Sequence, residues 1–156
     1  MFARYFVEVP MPAADVVTAI VGAPDRLAGL ATGAADHGAT LLAEVGVGAT
    51  VRVHRRVAVE FGEPTRLATT TILPLTWTPE GAAPGLFPSM DADLEIAALG
   101  PSRTQVAMSA RYTPPLGALG RAIDRAVLHR VAEATLKDFM DRLRASLVDP
   151  ADVVGA

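Results

Sequence analysis

The chain has 156 residues, 51% hydrophobic and only 5% aromatic, with a formal net charge of −3 and no cysteine. That length fits one domain, which buries enough surface to fold without a disulfide or a structural metal. The acidic balance leaves no basic footprint for nucleic acid, and the lack of cysteine removes disulfides, thiolate metal sites and a thiol nucleophile.

Ala3 to Val9 alternates and stops at Pro10, the pattern of a first strand with Ala3, Tyr5, Val7 and Val9 on one face. Charges at Arg4 and Glu8 set this stretch apart from a signal peptide. No uncharged apolar run approaches the ~20 residues of a membrane span. A cytoplasmic location without stable membrane insertion is expected. Pro12 to Val21 reads as a short helix ended by Gly22, and Pro24 to about Ala35 as a second, with Gly33 and Gly38 as its breakers. Five further strands follow: Ala39–Val45, Ala49–Phe61, Arg66 to about Trp77, Met90–Leu99 and Arg103–Thr113. Short turns at Gly46–Gly48, Gly62–Thr65 and Gly100–Ser102 make them an antiparallel meander.

Side-chain alternation gives the meander one apolar face. Val51, Val53, Val57, Val59 and Phe61 share a side, as do Leu67, Thr69, Thr71, Leu73, Leu75 and Trp77. Met90, Leu94 and Ile96 alternate with Asp91, Asp93 and Glu95. Pairing Ala98 with Thr104 sets Leu94 beside Met108 and Met90 beside Tyr112. After Pro114-Pro115 a single helix, Leu116 to Leu147, carries an apolar stripe that includes Val127, Leu128, Val131, Thr135, Phe139 and Leu143. Residues 148–156 read as a tail. The fold class is therefore α+β: a curved antiparallel sheet of six or seven strands gripping one long helix, with a cavity between them.

This order resembles the helix-grip fold of the START-like superfamily, also called SRPBCC. The resemblance rests on Val7-Glu8-Val9-Pro10 leading into Ala14–Val17, on Gly48–Val51 leading to the Phe61–Leu67 turn, and on Pro114 through Leu147. It is nearest to the polyketide cyclase/dehydrase-like branch. One departure is the run of small residues Thr32–Ala35, where relatives often carry a Trp. The resemblance implies a hydrophobic small-molecule ligand, lipid-, polyketide- or aromatic-like, and no catalytic motif shared across the family.

The candidate ligand contacts are Val53, Arg55, Val57, Thr69, Thr71, Leu73, Trp77, Met90, Leu94, Met108 and Tyr112 from the sheet, and Asp124, Val127, Leu128 and Val131 from the helix. Arg55 falls on the apolar parity between Val53 and Val57. Either it is a fixed cation for an anionic group, or a bulge at Arg55-Arg56 turns it to solvent. Asp124, near Arg121 and Arg125, is either a base at the cavity mouth or one side of a surface ion pair. His37, His54 and His129 lack metal-ligand spacing, and no P-loop, dinucleotide fingerprint or nucleophile elbow occurs, so neither a metal nor a cofactor is expected. Three functions fit: a ligand container, a cyclase- or dehydratase-type enzyme in the same cavity, or a protein-interaction module with Phe6, Ile72 and Ala107 on the outer face. A monomer or homodimer is compatible with each.

Overall fold

In a computed structural model, the structure describes residues 1–44, 56–80, 89–114 and 124–149. The elements are β1 (Phe2–Val9), α1 (Ala13–Val21), α2 (Pro24–Glu44), β2 (Val57–Phe61), β3 (Thr65–Leu67), β4 (Thr70–Pro79), β5 (Ser89–Gly100), β6 (Arg103–Thr113) and α3 (Arg125–Val148). The strands make one antiparallel sheet in the order β1-β6-β5-β4-β2, with β3 also paired to β4. One face is polar; the other is covered by the helices.

The β5–β6 register is the expected one, with Met90 opposite Tyr112, Leu94 opposite Met108 and Ala98 opposite Thr104. The alternation, broken only at the buried Ala107 and at the irregularity between Ala98 and Gly100, disfavours a one-residue slip, which would turn Leu94, Ile96 and Met108 to water. Leu94, Ile96, Val106, Met108 and Ala110 are all buried, while Asp91 and Asp93 face water. Beneath the sheet, α3 presents Ala132, Leu136, Phe139, Met140 and Leu143, all fully buried. Trp77 of β4 and Phe139 of α3 meet with ring centroids 5.5 Å apart and planes tilted by 59°.

Three segments differ from the sequence reading. The long helix expected from Leu116 begins only at Arg125, because Asp124 sits outside it as a non-helical N-cap (φ −53°, ψ 126°). The strand expected at Ala39–Val45 does not begin where predicted, because α2 continues to Glu44. Its buried residues Leu27, Ala31, Ala34, Gly38 and Leu42 keep helical spacing throughout. A mid-helix glycine costs about 1 kcal/mol relative to alanine. Here Gly38 is retained because α2 touches α3: an added Cβ would overlap Thr135 Oγ1.

The third difference is in the hairpin before β4. Residues 62–64 are not a hairpin turn but an interruption within one side of the ladder. Phe61 pairs with Leu75 and Thr65 with Ile72, so four steps on one strand face three on the other. The extra residue is a bulge, and it reverses parity beyond it. Leu67, expected on the inner face, therefore shares a face with Thr70 and Ile72 and is 55% exposed. The chain reverses instead at Ala68-Thr69, where Ala68 adopts φ 50°.

That conformation is strained for any residue with a Cβ. Replacing Ala68 with Gly is expected to stabilise the protein by about 0.5–1 kcal/mol, after the larger unfolded-state entropy of glycine is subtracted. Denaturant unfolding of Ala68→Gly beside the parent measures it, and an unchanged or lower midpoint contradicts the strain.

Candidate functional site

The interior between sheet and α3 is filled along most of its length. Two hydrophobic clusters occupy it. The main core joins the sheet to α1, to the first half of α2 and to Ala132–Leu147 of α3. A satellite of Leu42, Leu128 and Val131, with Met1 and Leu41 against it, joins the end of α2 to the start of α3.

A small enclosed hollow lies beside this seam. It is lined by Trp77, Ser89, Met90 and Tyr112 of the sheet, Ala35 and Gly38 of α2, and Thr135 of α3. Its free volume is about 10 Å³, near the lower limit for a single water. Segments expected to wall the cavity, residues 45–55, 81–88 and 115–123, lie outside the described residues, so this hollow is the part of it that the described residues line. Its place follows the size of the α3 side chains. Leu136, Phe139 and Met140 are fully buried against the sheet, whereas Thr135 lines the hollow together with the small residues Gly38 and Ala35.

One polar atom in this region has no partner. Tyr112 is 3% exposed, yet its hydroxyl makes no hydrogen bond. An unmet buried hydroxyl costs about 1–3 kcal/mol, so it is rarely left that way. The backbone fixes the ring's place: the Tyr112 N–H donates to the Met1 carbonyl at 2.7 Å, and the Met1 amino group donates to the Tyr112 carbonyl at 2.9 Å. Burial pushes the phenol's ionisation well above its ordinary value of 10.0. Thr135 differs, because its hydroxyl already donates to the Val131 carbonyl at 2.8 Å. Only its lone pairs remain to offer.

The other candidates spread over the fold. Leu73, Leu94 and Met108 lie in the main core, with Val57 at its margin under α2, where the Val57 N–H donates to Thr32 Oγ1 at 3.0 Å. Thr71, opposite Ile96, is half-buried. Thr69 is exposed at the hairpin tip, roughly 25 Å along the strand from Trp77 at about 3.3 Å per residue. Leu128 and Val131 belong to the satellite cluster, and Val127 is half-buried beside them. Asp124 is exposed and caps α3, accepting from the Ala126 N–H at 2.9 Å. Val53 and Arg55 lie outside the described residues. The described part of the strand expected at Ala49–Phe61 is β2, which pairs with Leu75–Pro79. Sequence reasoning singled out Trp77, Met90 and Tyr112 by alternation but passed over Ala35, Gly38 and Ser89, whose contribution is smallness. Thr135 was read only as part of the stripe.

The outer face is ionic and open. Arg4 pairs with Glu95 at 3.1 Å, Arg103 pairs with Glu8, and Thr76 donates to Asp91 at 3.3 Å. A groove of about 380 Å³ there is lined by Phe2, Pro74, Asp91, Asp93, Ser109 and Arg111, among others. It is larger than the inner hollow but solvated and flanked by charge. Phe6 is 57% exposed opposite the buried Ala107. Among the described residues no three metal-ligating side chains gather, and no helix is long and apolar enough to cross a membrane.

A sheet curled over one C-terminal helix, with two helices inserted after the first strand, settles the architecture. This is a helix-grip fold. Among solved structures it is similar to a conserved protein from Geobacillus kaustophilus, with a TM-score of 0.51 and 13% identity over 94% of this chain and 95% of that one. At that identity the likeness is one of fold alone. Two others are a hypothetical protein from Helicobacter pylori (TM-score 0.46, 10% identity, 92% and 88% covered) and an aromatase/cyclase from Streptomyces sp. R1128 (TM-score 0.29, 14% identity, 97% and 98% covered). No family model and no curated protein matches the chain.

Two measurements probe the helix-grip seam. Gly38→Ala is expected to destabilise by about 1–3 kcal/mol through overpacking, despite the helix propensity it gains. In a Thr135→Ala background the same change becomes neutral or stabilising, because the hydroxyl it overlaps is gone. Additive effects in the double variant contradict this contact. The second measurement is pH dependence. The folded Tyr112 keeps its proton at pH values where the unfolded chain ionises, so its contribution is whole below pH 10 and declines above it. The decline attributable to Tyr112 is about 1.4 kcal/mol per pH unit above 10. Tyr112→Phe lacks that component; parallel stability–pH curves for the two proteins contradict its burial.

Proposed function

We propose that this protein binds a small hydrophobic molecule at the Trp77–Met90–Tyr112 end of the sheet, under the α2–α3 seam. The observation that carries the reading is the unpartnered Tyr112 hydroxyl, buried beside a hollow whose other walls are mostly apolar. Such a group is an orientation point of the kind that binding sites place in an apolar wall. The helix-grip architecture supports the reading, since it sets a sheet and a helix face to face with room that depends only on side-chain size.

In the closed form the hollow holds about 10 Å³, so binding requires the seam to part. The satellite cluster favours that. Leu42, Leu128 and Val131 are separate from the main core and can shift without disturbing it. Met90 adds an adaptable wall.

Binding is favoured over a cyclase- or dehydratase-type reaction for a specific reason. A proton-transfer reaction needs a group that gives up or takes a proton near neutral pH. Of the described residues lining the hollow, Tyr112 alone titrates, and burial holds its proton in place.

Trp77 is the sole tryptophan in the chain, and it lines the hollow. Its fluorescence therefore reports on this place alone. Titration with a two-ring apolar probe such as 2-isopropylnaphthalene is expected to quench or shift the Trp77 emission saturably. Ala35→Leu, which fills the hollow from α2, is expected to weaken binding at least tenfold while the protein stays folded by circular dichroism. Emission that no apolar probe changes, or equal binding by Ala35→Leu, removes the reading.

A further inference from the structure

The hollow's polar atoms specify more than an apolar guest. The Tyr112 hydroxyl is buried and unmet, a donor with nothing to donate to. Thr135 has spent its own hydrogen on the Val131 carbonyl. Trp77 and Met90 supply apolar wall on the sheet side, and Ala35 and Gly38 do so on α2. No cationic side chain is among the described residues that line the hollow.

We infer that the molecule held here carries a neutral hydrogen-bond acceptor of the carbonyl class on an otherwise apolar frame, and that the Tyr112 hydroxyl donates to it. The inference rests on the binding reading above and names the chemistry of its guest. A ketone or ester oxygen accepts a hydrogen bond and brings no hydrogen of its own that needs a partner, which matches the unmet Tyr112 donor; Ser89 and the Trp77 indole also line the hollow, but neither leaves a buried polar atom without a partner. A carboxylate also accepts, but burying its charge without a cation is far more costly than burying a neutral carbonyl. A plain hydrocarbon fits the walls and leaves the phenol unmet, forfeiting the hydrogen bond. Tyr112 is thus a specificity residue: it separates molecules of equal shape by one oxygen.

The test uses three probes of nearly one shape: 2-acetylnaphthalene, 2-isopropylnaphthalene and 2-naphthoate. Binding to the full chain is followed by calorimetry, and the carbonyl stretch of bound 2-acetylnaphthalene by infrared difference spectroscopy. The wild type is expected to prefer the acetyl probe over the isopropyl probe by roughly five- to tenfold, the worth of one net hydrogen bond. Naphthoate is expected to bind weakest. The bound carbonyl band should lie lower in frequency than for the probe in hydrocarbon solvent. In Tyr112→Phe the acetyl preference and the band shift both disappear, while the isopropyl probe binds as before. Equal binding of the two neutral probes by the wild type, or a preference that survives in Tyr112→Phe, overturns the inference and leaves the binding reading standing. Tightest binding by naphthoate overturns it in favour of an anion site. Binding of none of the three overturns both.

Discussion

Side-chain volume along one helix is the constraint on which the rest of this structure depends. The inner face of the sheet is a continuous apolar surface, and α3 must fill it. Where α3 offers Leu136, Phe139, Met140 and Leu143, the space closes completely, and the Trp77–Phe139 contact marks the limit of that filled zone. Where it offers Thr135, the facing residues are Gly38 and Ala35, and a gap remains. A helix-grip frame therefore fixes where a cavity can lie, but the sequence of bulky and small residues on α3 and α2 decides whether one does. Here the frame is mostly filled, and the candidate site is what the small residues leave.

That division explains what was legible in the sequence. Elements with a strong period were readable. Alternation in Met90–Leu99 and Arg103–Thr113, joined by a short turn, gave the Met90–Tyr112 register, and with it two of the hollow's wall residues. The α3 stripe was readable for the same reason. The bulge was not, because one extra residue among Gly62, Glu63 and Pro64 looks like a turn, and only the partner strand reveals that the ladder continues past it. The length of α2 was obscured by Gly33 and Gly38, whose cost in helix propensity is offset by close contact with α3. Propensity is a local quantity, and the contact that overrides it comes from about a hundred residues later in the chain. The emptiness of the cavity was least legible of all. Periodicity tells which side chains face inward, whereas volume left over is a property of all facing elements together.

Charge is partitioned as sharply as volume. The ion pairs Arg4–Glu95 and Arg103–Glu8 decorate the solvent face of the sheet, and those of α3, Lys137–Asp141 and Arg142–Asp138, lie at its surface. Exposed pairs of this kind contribute little stability, and among the described residues no charged side chain is fully buried. In such surroundings neutral hydroxyls stand out, and of those lining the hollow, from Tyr112, Ser89 and Thr135, that of Tyr112 is the buried one without a partner. Tyr112 lies near the end of its strand, its backbone paired with Met1 and its side chain buried beside the hollow. A Phe at this position would satisfy the packing equally well, so the hydroxyl is a cost that folding alone does not account for.

For the binding proposed above, the narrowness of the seam would set how tightly a guest is held. Sites for molecules of ordinary ligand size hold roughly 300–1,000 Å³, far above the 10 Å³ present in this form. Opening must therefore part the end of α2 from the start of α3 and uncover some of Leu42, Leu128 and Val131. Full exposure of each costs about 1.5–3 kcal/mol, and partial exposure proportionately less. A guest that buries ten methylene-sized groups gains about 8 kcal/mol by the same measure, enough to offset the opening and leave a surplus. Every 1.4 kcal/mol of opening cost still weakens the observed affinity about tenfold. On the proposed binding reading, affinity would be set in part by the satellite cluster: trimming Leu42, Leu128 or Val131 would loosen the seam and strengthen binding, and enlarging them would do the reverse. Under the same proposal Tyr112 would act on a smaller scale, choosing among molecules once the seam has parted.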